Sequence, residues 1–257
     1  MINKDNLPQK DPFVPPFENG AYIGEVTETH HLIFNKFSVC ERHVIIITKD
    51  FEKQIDPLNI DDFKASAMVM ASMKAFMFFN SGYNSGASIM HKHMQVIPYE
   101  SMKADGESTF VPVEQAALKY IQEENIEADT FCLPQFYKFK HLFHKIDQEL
   151  VKATYDSEDG ADELSEHLEA AYWTCLKKLG NEEHNIEQSY SLLVFKNFLF
   201  VALRRVEAVK DQNMTVTVNS LGFAGTHAVK REEDLMLLSK HSPVGILELV
   251  STPTADY

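Results

Sequence analysis

The chain alternates short apolar stretches with longer polar ones, and the spacing of the apolar positions predicts both strands and helices. Stretches rich in branched and aromatic residues, which are typical of strands, occur at residues 31–34, 43–48, 88–98, 189–195, 198–204 and 215–218. Helical spacing, or an apolar run that follows a capping sequence, occurs at residues 59–78, 113–124, 163–179, 232–239 and 244–250. The sequence therefore predicts an α+β fold in which helices pack on an antiparallel or mixed sheet.

Nothing in the sequence separates these elements into independent units. We expect one domain over residues 1–257, in which a segment of about residues 1–150 and a segment of about residues 185–250 share one core. The proline-rich residues 11–17 are expected to lie on that core as an extended arm.

Composition narrows the classes of partner. The 24 Lys and Arg residues against 38 Asp and Glu residues give a formal net charge of −14, which repels nucleic acid and anionic membranes. The first residues lack an apolar signal core, and no apolar run approaches the roughly 20 residues that span a bilayer. Three widely spaced cysteines without a CxxC pair fit a reducing compartment. We expect a cytoplasmic protein with no nucleic-acid or membrane partner.

The segment from residue 80 to residue 98 carries the candidate chemistry. If residues 88–98 form a strand, period-two alternation places His91, His93 and Gln95 on one face and apolar side chains on the other, where Lys92 is the polar exception. The loop before this strand is rich in Gly, Ser and Asn, so its N–H groups and hydroxyls could hold phosphate oxygens.

An imidazole beside a phosphate cradle can bind a metal, act as a general base, or attack phosphorus as a nucleophile. Metal binding needs at least three ligands, and no neighbouring Cys or carboxylate completes this histidine pair. A Gln cannot accept a proton as His can, so Gln95 fits orienting a phosphoryl oxygen better than activating water. Alternation alone equally allows a polar strand face in contact with solvent. The strand-end pair Arg204 and Arg205 could attract polyphosphate or be solvated.

These motifs resemble one known family. The His-x-His-x-Gln strand, preceded by Asn-Ser-Gly-x-x-Ser-Gly-Ala-Ser, is similar to the active segment of diadenosine tetraphosphate phosphorylases (ATP adenylyltransferases) of the histidine triad superfamily. The same spacing also resembles the hexose-1-phosphate uridylyltransferases. Further stretches that resemble the phosphorylases in particular, in order along the chain, are residues 10–13, 32–37, 43–51, 54, 56–58, 189–193 and 219–225.

The resemblance implies a histidine-triad-like fold and a role for each matching residue. His93 would be the nucleophile that takes up the nucleotidyl group, and the main-chain carbonyl of the supporting His91 would hold its Nδ1–H. Gln95 would bind a non-bridging oxygen of the α-phosphate. The other substrate-binding residues that the resemblance implies are Lys10, Asn35, Lys36, Asn80, Ser85, Gly86, Ala87, Ser88, Asn219, Ser220 and Lys230.

The implied reaction is phosphorolysis of a dinucleoside polyphosphate, in which diadenosine tetraphosphate and inorganic phosphate give ATP and ADP through a nucleotidyl-histidine. No cofactor is expected for the covalent step, and Mg²⁺ would arrive on the substrate; no metal site in the protein is expected. The alternatives are a GDP-hexose phosphorylase or hexose-1-phosphate nucleotidyltransferase, a histidine-triad nucleotide hydrolase, and a nucleotide sensor without catalysis. Tyr83 departs from the family pattern, which has a smaller residue or proline in this loop.

Overall fold

The computed structural model describes residues 11–102, 111–181 and 188–254. In this part of the chain one antiparallel sheet of nine strands has the order β1-β2-β3-β5-β4-β8-β9-β7-β6. Its strands are β1 (Tyr22–Glu25), β2 (His30–Phe34), β3 (Val44–Thr48), β4 (Ala75–Ser81), β5 (His93–Pro98), β6 (Thr130–Phe131), β7 (His141–Lys145), β8 (Tyr190–Val194) and β9 (Phe198–Leu203). Strands from both halves of the sequence therefore share this main sheet.

Helices cover both faces of the main sheet, and a hairpin formed by β10 (Ala208–Asp211) and β11 (Met214–Thr217) stands apart from it. The helices are α1 (Ile60–Met73), α2 (Pro112–Glu124), α3 (Gln148–Asp156), α4 (Glu158–Lys178), α5 (Ser220–Phe223), α6 (Leu235–His241) and α7 (Pro243–Val250). None of the described helices is long and apolar enough to cross a bilayer.

Alternation along each central strand separates two buried clusters. The even-numbered positions of β5, Met94 and Val96, pack with α1 and α4 on one face. On the opposite face Ile97 packs with α2 and the C-terminal helices. A smaller cluster on that second face joins Phe13 of the arm to Ile45 and Ile47 of β3. The arm thus lies on the core as expected, although residues 12–16 form turns and bends where an extended segment was predicted. His93 and Gln95 share its face of the sheet.

The predicted helix over residues 59–78 is wrong in its last five residues, 74–78. Asn59 caps α1 with a capping box that includes Asp62, as the sequence indicates, but α1 ends at Met73. Lys74 takes a left-handed conformation with φ 49°, and the chain then enters the fully buried strand β4. A run of Phe and Met fits a buried helix or a central strand equally well. Pairing with β5 on one side and β8 on the other decides for the strand.

Other boundaries also differ from the sequence-based expectations. The regular strand predicted from residue 88 begins at His93, because the preceding residues make only one isolated bridge, between Lys53 and His91. Besides β4, the prediction missed β1, β6, β7, β10, α3 and the short α5. The strand predicted at residues 215–218 exists as β11, although it pairs with β10 instead of joining the main sheet.

Candidate active site

His93 lies at the first position of β5, where β4 and β5 diverge. Gln54 fills this divergence with its amide: the His93 N–H donates to Gln54 Oε1 at 2.8 Å, and Gln54 Nε2 donates to the carbonyls of His93 at 3.2 Å and Asn80 at 2.9 Å. Gln54 is 2% exposed, so these hydrogen bonds are shielded from water. The side chain of Gln54 therefore fixes the backbone that carries the candidate nucleophile.

One ring nitrogen of His93 is already used in a hydrogen bond within the protein. Nδ1 donates to the main-chain carbonyl of His91 at 2.8 Å, which is the hydrogen bond that the family resemblance implies. Because the carbonyl can only accept, Nδ1 holds the proton and Nε2 of the neutral ring carries a lone pair. Burial, above all, lowers the pKa of His93 to about 4. The ring is therefore neutral at physiological pH, as a nucleophile requires.

His91 is fully buried and is held at both ring nitrogens. Its Nδ1 lies 2.8 Å from Asp11 Oδ2, and its Nε2 lies 2.9 Å from the Thr48 carbonyl and 3.0 Å from the Thr48 hydroxyl. Phe13 packs against both histidines, with ring centroids 5.0 Å from His93 and 6.0 Å from His91. The N-terminal arm thus contributes directly to the surroundings of the nucleophile.

The residues predicted to hold phosphate come together from distant parts of the chain. Asn80 Oδ1 accepts from the Ser220 N–H at 2.7 Å, and Asn219 caps α5. Gly86 has φ +87°, and an added Cβ would lie 3.1 Å from the Val218 carbonyl and from the Asn219 side chain. Only glycine allows this contact without a shift of the backbone. The Gly-Ser loop and the start of α5 therefore form one continuous surface beside β4.

Several predicted hydroxyl and amide groups already have partners within the protein. Ser85 Oγ donates to the Gly82 carbonyl, and Ser220 Oγ donates to the Phe79 carbonyl, each at 2.7 Å. Both serines are fully buried. Their contribution to substrate binding stays a prediction, and the observed contacts show that their hydroxyls stabilise the loop.

Arg204 connects the two sides of this surface, a role that neither sequence-based interpretation of this residue predicted. The side chain is 2% exposed, which contradicts both the polyphosphate-attracting and the solvated interpretation of a strand-end arginine. Its guanidinium donates to the carbonyl of Ser85 at 3.3 Å and that of Val218 at 2.7 Å, and to Ser191 Oγ at 3.0 Å. Arg205 next to it is exposed.

A cavity of 360 Å³ opens between the arm and strands β2 and β3. Its wall is mainly apolar, and Asn35 and Lys36 contribute at its edge, as the resemblance implies for the nucleotide side. The Asn35 amide lies 3.2 Å from Nδ1 of His43, and Lys36 forms an exposed ion pair with Glu18 at 2.8 Å. A cavity of this size and lining suits a nucleoside.

Gln95 is half-buried and pairs in register with Ile45 of β3 and Phe78 of β4. His43 lies on the same face. Burial lowers the pKa of His43 to about 4, although a hydrogen bond with Gln95 acts in the opposite direction. The neutral ring of His43 therefore supports the amide that is predicted to contact the α-phosphate.

The remaining predicted residues are less constrained. Ser88 and Lys230 are exposed and Ala87 is partly buried, while Lys10 lies outside the described residues. Sequence reasoning did not assign roles to Asp11, Thr48, Gln54 and Arg204, although the first three fall within stretches that resemble the family. Among the described residues no group of three His, Cys, Asp or Glu side chains is arranged to hold a metal ion.

Lys92 projects to the opposite face of the strand from His93 and is 1% exposed. Its ammonium donates to Glu52, to the Pro57 carbonyl at 3.1 Å and to Asp62 Oδ2 at 3.2 Å, which uses all three of its N–H groups. Lys92, the polar exception on the apolar face, thus forms a buried ion pair that anchors the segment before β5.

Comparison with known proteins agrees with this arrangement. A family model described as the Ap4A phosphorylase N-terminal domain matches residues 2–119, and one described as the ATP adenylyltransferase C-terminal domain matches residues 136–253. Diadenosine 5',5'''-P1,P4-tetraphosphate phosphorylase 2 of Saccharomyces cerevisiae is 25% identical over 251 residues, which cover 90% of this chain and 72% of the yeast protein. Protein APA1 of the same yeast is 24% identical over 242 residues, which cover 87% and 70%.

Solved structures show the same fold. Yeast Ap4A phosphorylase Apa2 in complex with AMP superposes with a TM-score of 0.72 at 22% identity, covering 97% of this chain and 83% of the yeast chain. For Apa2 in complex with Ap4A the TM-score is 0.67 at 22% identity, with 96% and 82% covered. The expected α+β fold is confirmed. Since the two family models together span nearly the whole sequence and meet on one sheet, this chain belongs to the Ap4A phosphorylase (ATP adenylyltransferase) family.

Proposed function

We propose that this protein cleaves dinucleoside polyphosphates by phosphorolysis, with His93 as the nucleophile. The observation that carries this proposal is the hydrogen bond from His93 Nδ1 to the His91 carbonyl. It leaves the lone pair of the neutral ring on Nε2, and no described side chain forms a hydrogen bond with that nitrogen. The membership of a phosphorylase family supplies the substrate class.

The reaction proceeds in two displacements. His93 Nε2 attacks the α-phosphorus of diadenosine tetraphosphate, the bond to the bridging oxygen breaks, and ATP leaves. An oxygen of inorganic phosphate then attacks the adenylyl-histidine, the phosphorus–nitrogen bond breaks, and ADP leaves with His93 neutral again. A polyphosphate leaves as a weak base, so the first step needs little general-acid assistance.

The cavity between the arm and the main sheet would bind the nucleoside next to His93. Phe13, Ile33 and Ile45 give it apolar walls, and Asn35 and Lys36 line it as well. In the substrate complex Lys36 would exchange its exposed partner Glu18 for a phosphate, since an exposed ion pair contributes little to stability. The surface formed by Asn80, residues 85–88 and residues 219–220 would hold the polyphosphate, with Lys10 and Lys230 as further cationic contacts.

We assign to Gln95 the preference for transfer of the adenylyl group to phosphate over its hydrolysis by water. An amide donates to a phosphoryl oxygen and has no basic lone pair for a proton, so water bound near the adenylyl-histidine receives no general-base help. His43 beside it has a pKa lowered by burial, and its ring already contacts Asn35 and Gln95. Phosphate is itself an anionic nucleophile and does not need this help.

The proposal includes no resident cofactor. Mg²⁺ would enter on the polyphosphate of the substrate. We also place the reaction in the cytoplasm, because none of the described cysteines, Cys40, Cys132 and Cys175, forms a disulfide. The expected small-molecule partners are diadenosine tetraphosphate, ATP, ADP and phosphate.

Product analysis tests the function. Diadenosine tetraphosphate should give equimolar ATP and ADP only when inorganic phosphate is present. A product pair of ATP and AMP that does not depend on phosphate would identify a hydrolase and contradict the proposal. The assay should be repeated with GDP-hexose in place of the dinucleotide, since turnover of that compound alone would indicate the alternative phosphorylase.

The nucleophile is tested by trapping the intermediate. Wild-type protein incubated with α-labelled diadenosine tetraphosphate without phosphate should acquire acid-labile label, and His93→Ala should acquire none while remaining folded. His241→Ala, which removes a histidine at the end of α6, serves as the matched control and should be labelled normally. Label on the His93→Ala protein would show that another residue is the nucleophile.

A further inference from the structure

Both ring nitrogens of His91 have hydrogen-bond partners. Nδ1 lies 2.8 Å from the Asp11 carboxylate, which can only accept, so Nδ1 carries a proton and donates it to Asp11. Nε2 lies 2.9 Å from the Thr48 carbonyl and 3.0 Å from the Thr48 hydroxyl, which can donate or accept. Asp11 therefore fixes a proton of His91 on the nitrogen that faces the arm.

Asp11 uses its two carboxylate oxygens for different tasks. Oδ1 accepts the Phe13 N–H at 2.9 Å, which turns the arm so that Phe13 covers the histidines, and Oδ2 binds His91. The His91 side chain is fully buried, whereas the Asp11 side chain is 28% exposed. The Asp11 carboxylate thus contacts the buried ring from the arm, where Asp11 also lines the proposed nucleoside cavity.

The position of the His91 carbonyl depends on such side-chain contacts. His91 precedes the regular part of β5 and takes part in only one isolated bridge, with Lys53. Its carbonyl oxygen accepts from His93 Nδ1, and so the orientation of the nucleophile follows the orientation of His91. A ring fixed at both nitrogens cannot rotate without loss of a charged hydrogen bond.

We propose that Asp11 is a positioning residue for the nucleophile: it accepts the Nδ1–H of His91 and so holds that ring in place, and the carbonyl of His91 in turn orients His93. The proposal rests on the proposed function for its effect on turnover. It couples docking of the arm, which forms one wall of the cavity, to the orientation of the attacking nitrogen.

Three substitutions separate the contact with His91 from the turn of the arm. Asp11→Asn keeps an oxygen for the Phe13 N–H but presents an N–H₂ group to His91 Nδ1, so the proton of His91 must move to Nε2, where it can be donated to the Thr48 carbonyl. Asp11→Ala removes both contacts. Asp11→Glu retains a carboxylate and should keep the proton of His91 on Nδ1. Asp211→Asn, which removes one carboxylate from a surface ion pair with Lys240, is the control for net charge.

Nitrogen-15 NMR of the histidines gives a readout that does not depend on activity. At about pH 7, wild-type His91 should show a proton on Nδ1, the nitrogen that faces Asp11. The Asp11→Asn protein should show a proton on Nε2 alone, together with faster solvent exchange of the His93 Nδ1 proton. The Asp211→Asn protein should match wild type in both signals.

Kinetics then test the positioning role. Asp11→Asn should lower kcat about ten- to a hundredfold, as a small misplacement of a reacting group does, with KM nearly unchanged. Asp11→Ala should also raise KM, because Phe13 loses its anchor. Wild-type His91 without a proton on Nδ1, or Asp11→Asn with unchanged His93 exchange and unchanged kcat, would overturn the proposal. If wild type lacks phosphorolysis but shows these NMR signals, the proposed function fails and the positioning of His93 by Asp11 stands.

Discussion

Replacing Arg204 by Met should destabilise this protein more than any ordinary surface substitution. The guanidinium lies in the interior between β9, the Gly-Ser loop and the segment before α5, where it donates to four backbone carbonyls and to Ser191 Oγ. Methionine has a similar volume and no donors. The change therefore removes hydrogen bonds without creating a large cavity.

The contacts give the size of the effect. Three of the hydrogen bonds are 3.1 Å or shorter, to Ser191 Oγ, the Val206 carbonyl and the Val218 carbonyl. At about 1.5–3 kcal/mol for a hydrogen bond from a charged donor, their gross contribution is roughly 5–9 kcal/mol. Desolvation opposes it, because burial lowers the pKa of Arg204 to about 9. We expect a net loss of about 3–5 kcal/mol in the free energy of unfolding, the usual result of leaving buried partners of a charge unpaired.

Urea unfolding followed by circular dichroism measures this loss, with Arg205→Met as the matched control. Arg205 is exposed and donates only to the Leu249 carbonyl, so its replacement should change the free energy of unfolding by less than about 1 kcal/mol. Because Ser85 and Val218 are among the partners of Arg204, KM for the dinucleotide should also rise under conditions where Arg204→Met is folded.

A free energy of unfolding for Arg204→Met within about 1 kcal/mol of the wild-type value would refute this reasoning. It would mean that the desolvation of the guanidinium cancels its hydrogen bonds, and that packing alone holds the Gly-Ser loop against the segment before α5. An unchanged KM in a destabilised variant would separate the stability of this junction from substrate binding.

Two further predictions concern protons. Gln95→His should raise the ratio of AMP to ADP among the products at fixed phosphate concentration. The imidazole supplies the general base that the amide lacks, and such a base is worth about 10²–10⁴ in rate. An unchanged ratio in an active variant would show that another feature excludes water. Burial lowers the pKa of His141 from 6.5 to about 4, and its Nε2 accepts the Leu133 N–H at 2.8 Å. The unfolded chain therefore binds a proton that the folded protein excludes, and stability should fall by up to roughly 3 kcal/mol between about pH 6.5 and pH 4. His141→Gln should make the pH dependence of urea unfolding less steep by this amount, while the buried His43 and His93, whose pKa values are also lowered to about 4, should keep their own share. An equally steep profile in that variant would assign the whole loss to other groups.

The sequence by itself determined the strands whose side chains alternate and the segment that holds the chemistry. His91, His93 and Gln95 lie on one face because a strand repeats every two residues, whatever packs around it. The Gly and Ser residues before this strand likewise indicated a loop, and the ordered set of motifs indicated the family. These features are local, so neighbouring residues suffice to predict them.

Tertiary structure alone decided what depends on distant partners. Ala75–Ser81 is a strand only because β5 and β8 pair with its two edges, since its composition suits a buried helix as well. Gln54 meets Asn80 across 26 positions, Asp11 meets His91 across 80, and Arg204 meets Ser85 across 119. Lys92 is buried because carboxylates from elsewhere in the chain surround its ammonium. A side chain's burial and its hydrogen-bond partners are set by which segments the fold brings beside it, and a one-dimensional pattern contains no distance between those segments.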